Sequence, residues 1–146
     1  MRKTVLVSAC LLGVCCRYDG KGNPNSEVLA LLDRDDVMLI PVCPEQLSGM
    51  PTPRIPSERQ SGRVMNRAGE DVTASFRKGA EEALRIARLY ACRYAIFKER
   101  SPSCGCGRIY DGSFTSTLTD GNGVTTELLL QEGIRVCGES QIETLF

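Results

Sequence analysis

Four short apolar runs constrain the fold most: TVLVSA (Thr4–Ala9), VMLIPV (Val37–Val42), YAIFK (Tyr94–Lys98) and IRVC (Ile134–Cys137). They are β-branched and apolar at consecutive rather than alternate positions, as strands are when both sheet faces are covered. Helical patterns lie between them. NSEVLALLDRDD follows Pro24, with Asn25 as N-cap and Val28, Leu29, Leu31 and Leu32 as an apolar face. Val72, Phe76, Ala80, Ala83, Ala87 and Tyr90 recur at three- and four-residue spacing, which predicts a long helix over 72–90. GVTTELLLQEG reads as a third helix, with Asn122 near its start and Gly133 just past its end. Alternating strand and helix predict an α/β fold: a compact three-layer, mostly parallel sheet flanked by helices, with long loops at the C-terminal edge of the strands. A chain of 146 residues suits one domain, 1–146, and neither a repeat nor a linker divides it.

Two stretches fit no regular element. Pro44 to Gly69 holds four prolines and three glycines, and Ser101 to Gly123 holds five glycines with several Ser and Thr. Loops of this length inside a compact domain are usually functional.

Charge argues against several partners. Lys plus Arg and Asp plus Glu are 18 each, so no excess charge points to nucleic acid or an anionic membrane surface. Tryptophan is absent and aromatic residues make up 5%, too few for a stacking platform along single strands. No run approaches the roughly 18 apolar residues that span a membrane. MRKTVLVSAC has the outline of a lipoprotein signal, but its apolar run, Thr4 to Ala9, is shorter than the roughly 7–15 residues of a signal core. The expected location is therefore cytoplasmic, in a reducing compartment where cysteines are free or metal-bound rather than paired.

Cysteine is the unusual component. There are eight, and histidine is absent. That removes the commonest general base near neutral pH and the imidazole metal ligand. Any metal must be held mainly by thiolate, which suits zinc or an iron–sulfur cluster. Cys10 follows the first predicted strand, Cys43 the second, and Cys104 lies in KERSPSCGCG after the third. Strand C-termini in a parallel sheet share one edge, where open α/β folds bind their ligands, so these three cysteines converge. Cys92 and Cys137 read as core residues. Cys15 and Cys16 fit either a core position or the site, and Cys106 is a candidate fourth ligand or resolving thiol. A [4Fe-4S] cluster on three cysteines leaves one iron open, and that iron is a Lewis acid suited to a soft substrate sulfur. The rival reading is a zinc- or thiol-based binding or redox module using Cys104 and Cys106, although no C-x-x-C motif supports it. No G-x-G-x-x-G or Walker pattern supports a nucleotide-binding regulatory domain.

SACLLG…CRYDG, CPE…GMPTPRIPSE and KERSPSCG, in this order, together with the late YDGSF and GVTTELL segments, resemble the bacterial family catalogued as domain of unknown function 523. Its characterised members are thiouracil desulfidases, and the resemblance covers nearly the whole chain. It implies an α/β domain with an oxygen-sensitive [4Fe-4S] cluster on Cys10, Cys43 and Cys104, and an open iron that takes the substrate's thiocarbonyl sulfur. The reaction implied is a non-redox desulfuration of a thiolated pyrimidine, thiouracil to uracil plus hydrogen sulfide. Glu45 matches a family acid/base residue and Ser101 a second active-site residue. Pro44 between Cys43 and Glu45 fixes their relative placement. Arg54 offers planar donors for a substrate carbonyl or anion, and Tyr18 is placed to close the pocket. The chain departs from the family pattern at Ser48, where a glycine is usual, and at Met50, where leucine is usual.

Overall fold

The structure is a computed structural model that describes residues 2–146. Its centre is a four-stranded, all-parallel sheet in the order β2-β1-β5-β8: β1 Lys3–Ser8, β2 Val37–Val42, β5 Tyr94–Phe97 and β8 Arg135–Gly138. All four predicted strands are present, each shifted by no more than one residue at either end. Two antiparallel hairpins lie outside this sheet, β3 Ser57–Gln60 with β4 Arg63–Asn66, and β6 Arg108–Tyr110 with β7 Leu118–Asp120. They occupy the two stretches that fit no element in the sequence. SERQ and RVMN carry little apolar signal, and only Glu58, Val64 and Asn66 of the first hairpin are buried.

The pleat sorts the core into two faces. From β1 and β5, Val5, Val7 and Ile96 pack on one side with Leu11, Val28, Leu31, Ile142 and Leu145. Leu6, Ala95 and Phe97 pack on the other with Leu84, Ala87 and Leu129. Leu6, Ile96 and Phe97 are completely buried, and each stabilises the fold by about 1.5–3 kcal/mol over its exposed state. The second face is covered by α3 (Thr73–Leu89) and α4 (Val124–Gln131). The first is covered more thinly, by α1 (Ser26–Ala30) and by 3-10 turns at Leu31–Asp33 and Glu139–Leu145. Three layers result, as the alternation predicts.

Several helix details depart from the sequence reading. Asn25 does cap α1, its Oδ1 accepting from the N–H groups of Glu27 and Val28 at 3.0 Å. The helix lasts only five residues before tightening into a 3-10 turn, so Val28 and Leu31 are buried while Leu32 is 57% exposed. Tyr90 falls beyond α3 and is also exposed, so the buried face ends at Ala87. Asn122 does not cap α4, because its Oδ1 accepts the Gly107 N–H at 2.8 Å. β2 is an edge strand and exposes Met38 and Pro41, which is where proline is tolerated in a sheet. Among the described residues no helix is long and apolar enough to cross a membrane.

Candidate active site

The parallel sheet aligns the ends of β2, β1 and β5, and the loops leaving them wall a cavity of about 390 Å³. Cys10, Cys43 and Cys104 all line it, as do Glu45, Ser101, Arg54 and Tyr18. The seven residues singled out in the sequence thus meet in one place, although they span 10 to 104.

Each cysteine is seated by its own local structure. Cys10 lies in a 3-10 turn, Ala9–Leu12, directly after β1. Its carbonyl accepts from the N–H groups of Gly13 (3.0 Å) and Asn23 (2.8 Å). Cys43 follows β2 at the N-cap position of the short helix α2, Pro44–Leu47, with proline at the first helical position as expected for a helix start. The carbonyl of Pro44 packs against Gly79 of α3, where a β-carbon would stand 2.1 Å from that oxygen. A residue without a side chain is therefore required for the Cys43–Pro44–Glu45 turn to sit on α3.

Cys104 is held from two directions. Ser101 Oγ accepts from the N–H groups of Ser103 (3.1 Å) and Cys104 (3.0 Å), forming a side-chain-closed turn. The start of α4 takes the other side. The N–H groups of Val124 and Thr125 donate to the Pro102 and Ser103 carbonyls at 2.9 Å, and Thr126 Oγ1 donates to the Cys104 carbonyl at 2.8 Å. The orphan N–H groups of a helix N-terminus are thereby satisfied by the cysteine loop itself. Gly123 permits the approach, since a β-carbon there would lie 2.3 Å from the Ser103 carbonyl carbon. Gly79, Gly123, Thr125 and Thr126 are the residues that sequence reasoning missed. The one available signal was a GVTT segment too polar for a core helix start.

Arg54 is the electrostatic anchor. Its side chain is only 6% exposed, and Nε donates to Glu45 Oε1 at 2.9 Å. Nη2 donates to the Cys16 carbonyl at 2.9 Å, and Nη1 to Thr52 Oγ1 at 3.0 Å and the Pro51 carbonyl at 3.3 Å. The guanidinium is committed to protein acceptors, so its evident work is to fix Glu45 and the Cys16 turn. Tyr18 is 42% exposed at the cavity mouth.

Cys16 is a fourth thiol in the cavity, completely buried, and its carbonyl accepts the Cys43 thiol at 3.6 Å. Cys15 is exposed, and Cys92 and Cys137 are buried in the core. Cys106 does not line the cavity; its thiol donates to the Val136 carbonyl at 3.5 Å. Three thiols at the cavity, Cys16, Cys43 and Cys104, are shifted upward from the ordinary thiol range. Burial above all pushes Cys104 up to about 12. Hydrogen bonding with Cys10 pushes Cys16 up to about 11, and hydrogen bonding with Cys16, followed by burial, also raises Cys43. Burial also raises Cys106. A thiol-redox pair needs lowered values, so neither placement nor electrostatics favours the Cys104–Cys106 reading.

The donor set fits an iron–sulfur cluster. It is all thiol, half to fully buried, and gathered from three strand ends around a cavity rather than around a point. Among the described residues, no group of three Cys, Asp or Glu side chains is arranged to hold a single ion, whereas a cubane is larger and its ligand sulfurs stand farther apart.

Comparison with known proteins agrees. The chain is 37% identical over 151 residues to the uncharacterized protein YbbK of Bacillus subtilis (strain 168), covering 97% of this chain and 99% of that one. A solved structure, the [4Fe-4S]-dependent thiouracil desulfidase TudS (DUF523Vcz), superposes with a TM-score of 0.89 at 44% identity, over 99% of this chain and 95% of that one. The profile of the 2-thiouracil desulfurase family matches residues 5–141, and the chain belongs to that family.

Proposed function

We propose that this protein is a [4Fe-4S]-dependent desulfidase that hydrolyses the C–S bond of a thiolated pyrimidine, thiouracil plus water giving uracil plus hydrogen sulfide. The observation that carries the reading is the convergence of Cys10, Cys43 and Cys104 with Glu45 and Ser101 on one cavity. Cys10, Cys43 and Cys104 would hold the cluster. When bound, such a cluster supplies an iron without a protein ligand, a Lewis acid matched to a soft thiocarbonyl sulfur.

The remaining chemistry belongs to the chain. Arg54 takes one Glu45 oxygen, Oε1, and leaves Oε2 to accept a proton from water attacking the substrate's C–S carbon. Ser101 Oγ accepts two backbone N–H groups, so its own O–H is the donor it can offer to that water or to a substrate oxygen. Glu45 then returns a proton to the departing sulfur. No electrons are transferred, and the atoms balance as hydrolysis. The reading carries one domain over 1–146 and a cytoplasmic location, where thiols stay reduced.

The test is the iron and acid-labile sulfide content of protein purified without oxygen, followed by sulfide release from 2-thiouracil. About four of each per chain are expected. Cys43→Ala should lose both the cluster and sulfide release. Zinc, or no metal under strict anaerobiosis, would overturn the reading.

A further inference from the structure

Glu58 is a buried carboxylate that the proposed chemistry does not use. It lies in β3, is 9% exposed, and forms no ion pair among the described residues. A buried charge is costly unless hydrogen bonds compensate it. Both compensating bonds come from one short segment: Oε1 accepts the N–H of Gly112 at 2.9 Å and of Phe114 at 3.1 Å. Two residues along the same strand, Gln60 Nε2 donates to the Gly112 carbonyl at 2.6 Å. The first hairpin therefore grips the tip of the second.

That tip is strained. Phe114 has φ 57° and Ser116 φ 58°, in the left-handed region that side chains with a β-carbon disfavour. Strain of this kind persists where the surroundings over-determine it, and it concentrates at ligand clamps. What the grip achieves is the placement of one ring. Phe114 is half-buried in the cavity wall, with the Arg67 guanidinium 5.5 Å from its ring centroid and Tyr110 in the same wall. Unlike Tyr18 and Tyr110, Phe114 has no polar atom that such a wall would have to satisfy.

We propose that Phe114 is the stacking wall for the pyrimidine ring of the substrate and that Glu58 is the positioning residue that holds it there. The inference rests on the desulfidase reading and adds its ring selectivity: a flat, conjugated heterocycle gains a stacked face that an acyclic thiocarbonyl does not.

The experiment uses anaerobically prepared holoenzyme. It compares wild type with Phe114→Leu, Phe114→Tyr and Glu58→Gln for KM and kcat on 2-thiouracil, uracil affinity by calorimetry, iron content and thermal melting. Phe114→Leu should raise KM and weaken uracil binding by about ten-fold, the effect of losing one base–aromatic stack, with kcat and iron content unchanged. Phe114→Tyr should restore both, and Glu58→Gln should shift KM in the same direction as Phe114→Leu. Wild-type KM and uracil affinity in Phe114→Leu would overturn the proposal, as would a loss confined to kcat or iron content. Failure of wild type to release sulfide would overturn the desulfidase reading alone, because the uracil titration still tests the stack.

Discussion

Glu45 and Arg54 divide one task. The carboxylate faces the cavity, and the guanidinium, anchored to three other protein acceptors, keeps it there. Glu45→Gln removes the proton acceptor but not the hydrogen-bond acceptor at Oε1. Turnover should fall by roughly 10²–10⁴ while iron content holds, as measured by sulfide release against iron per chain. Arg54→Ala leaves Glu45, the Cys16 carbonyl and Thr52 without their donor. It should reduce both turnover and thermal stability, the latter by about 1–3 kcal/mol. Cys16 separates ligand from neighbour: Cys16→Ala should retain about four irons per chain, whereas Cys10→Ala should not. The residues that meet at the cavity were legible in the sequence as candidates because cysteine, glutamate and serine carry their chemistry in the residue type. The sequence suggested Arg54 as a substrate binder and gave no sign of the anchoring contacts it makes. Its partners lie at positions 16, 45 and 51–52, and no local spacing reveals that they meet.

At the scale of elements, two close contacts connect helices to the proposed ligands: α3 to the Cys43 turn through Gly79, and α4 to the Cys104 loop through Gly123. Gly79→Ala places a methyl group against backbone that can shift only with the turn. We expect a loss of about 1–3 kcal/mol in thermal unfolding, accompanied by poorer iron loading. A surface control, Ala74→Gly at the exposed start of α3, should cost about 1 kcal/mol or less and leave loading unchanged. The long elements were legible because doubly covered strands read as continuous apolar runs and an amphipathic helix writes a periodic face into the chain. The hairpins were not, because their strands are short and polar and are held by Glu58, Gln60 and Arg59 reaching across to residues 112–127. Those contacts span more than fifty positions. The early end of α1 was equally invisible: Leu32 continues the apolar pattern, yet the chain tightens at Leu31 and turns it outward.

The whole molecule has an alkaline limit independent of the site. Burial raises Cys92 and Cys137 from 9.0 to about 11, so the folded state holds protons there that the unfolded chain gives up. Their contribution is fully present below pH 9 and is lost as pH rises through about 11. Melting temperature should decline across that window, and Cys92→Ala should flatten the decline while lowering stability at neutral pH. Cluster loading runs the other way: ligand thiols must release protons to bind, so reconstitution should speed up as pH rises toward 9.

Cys10, Cys43 and Cys104, the proposed ligands, stand in the turns and loop that follow three neighbouring strands of the central sheet, whereas part of the cavity wall belongs to two hairpins that share no ladder with it. A seat and a wall built from separate parts can vary separately. Replacing the tip at 111–116 changes what the cavity admits without disturbing a backbone hydrogen bond of the strands that precede the cysteines. Such a chassis can acquire new substrates by hairpin exchange, and grafted tips should load iron as well as the parent even where they no longer accept its substrate.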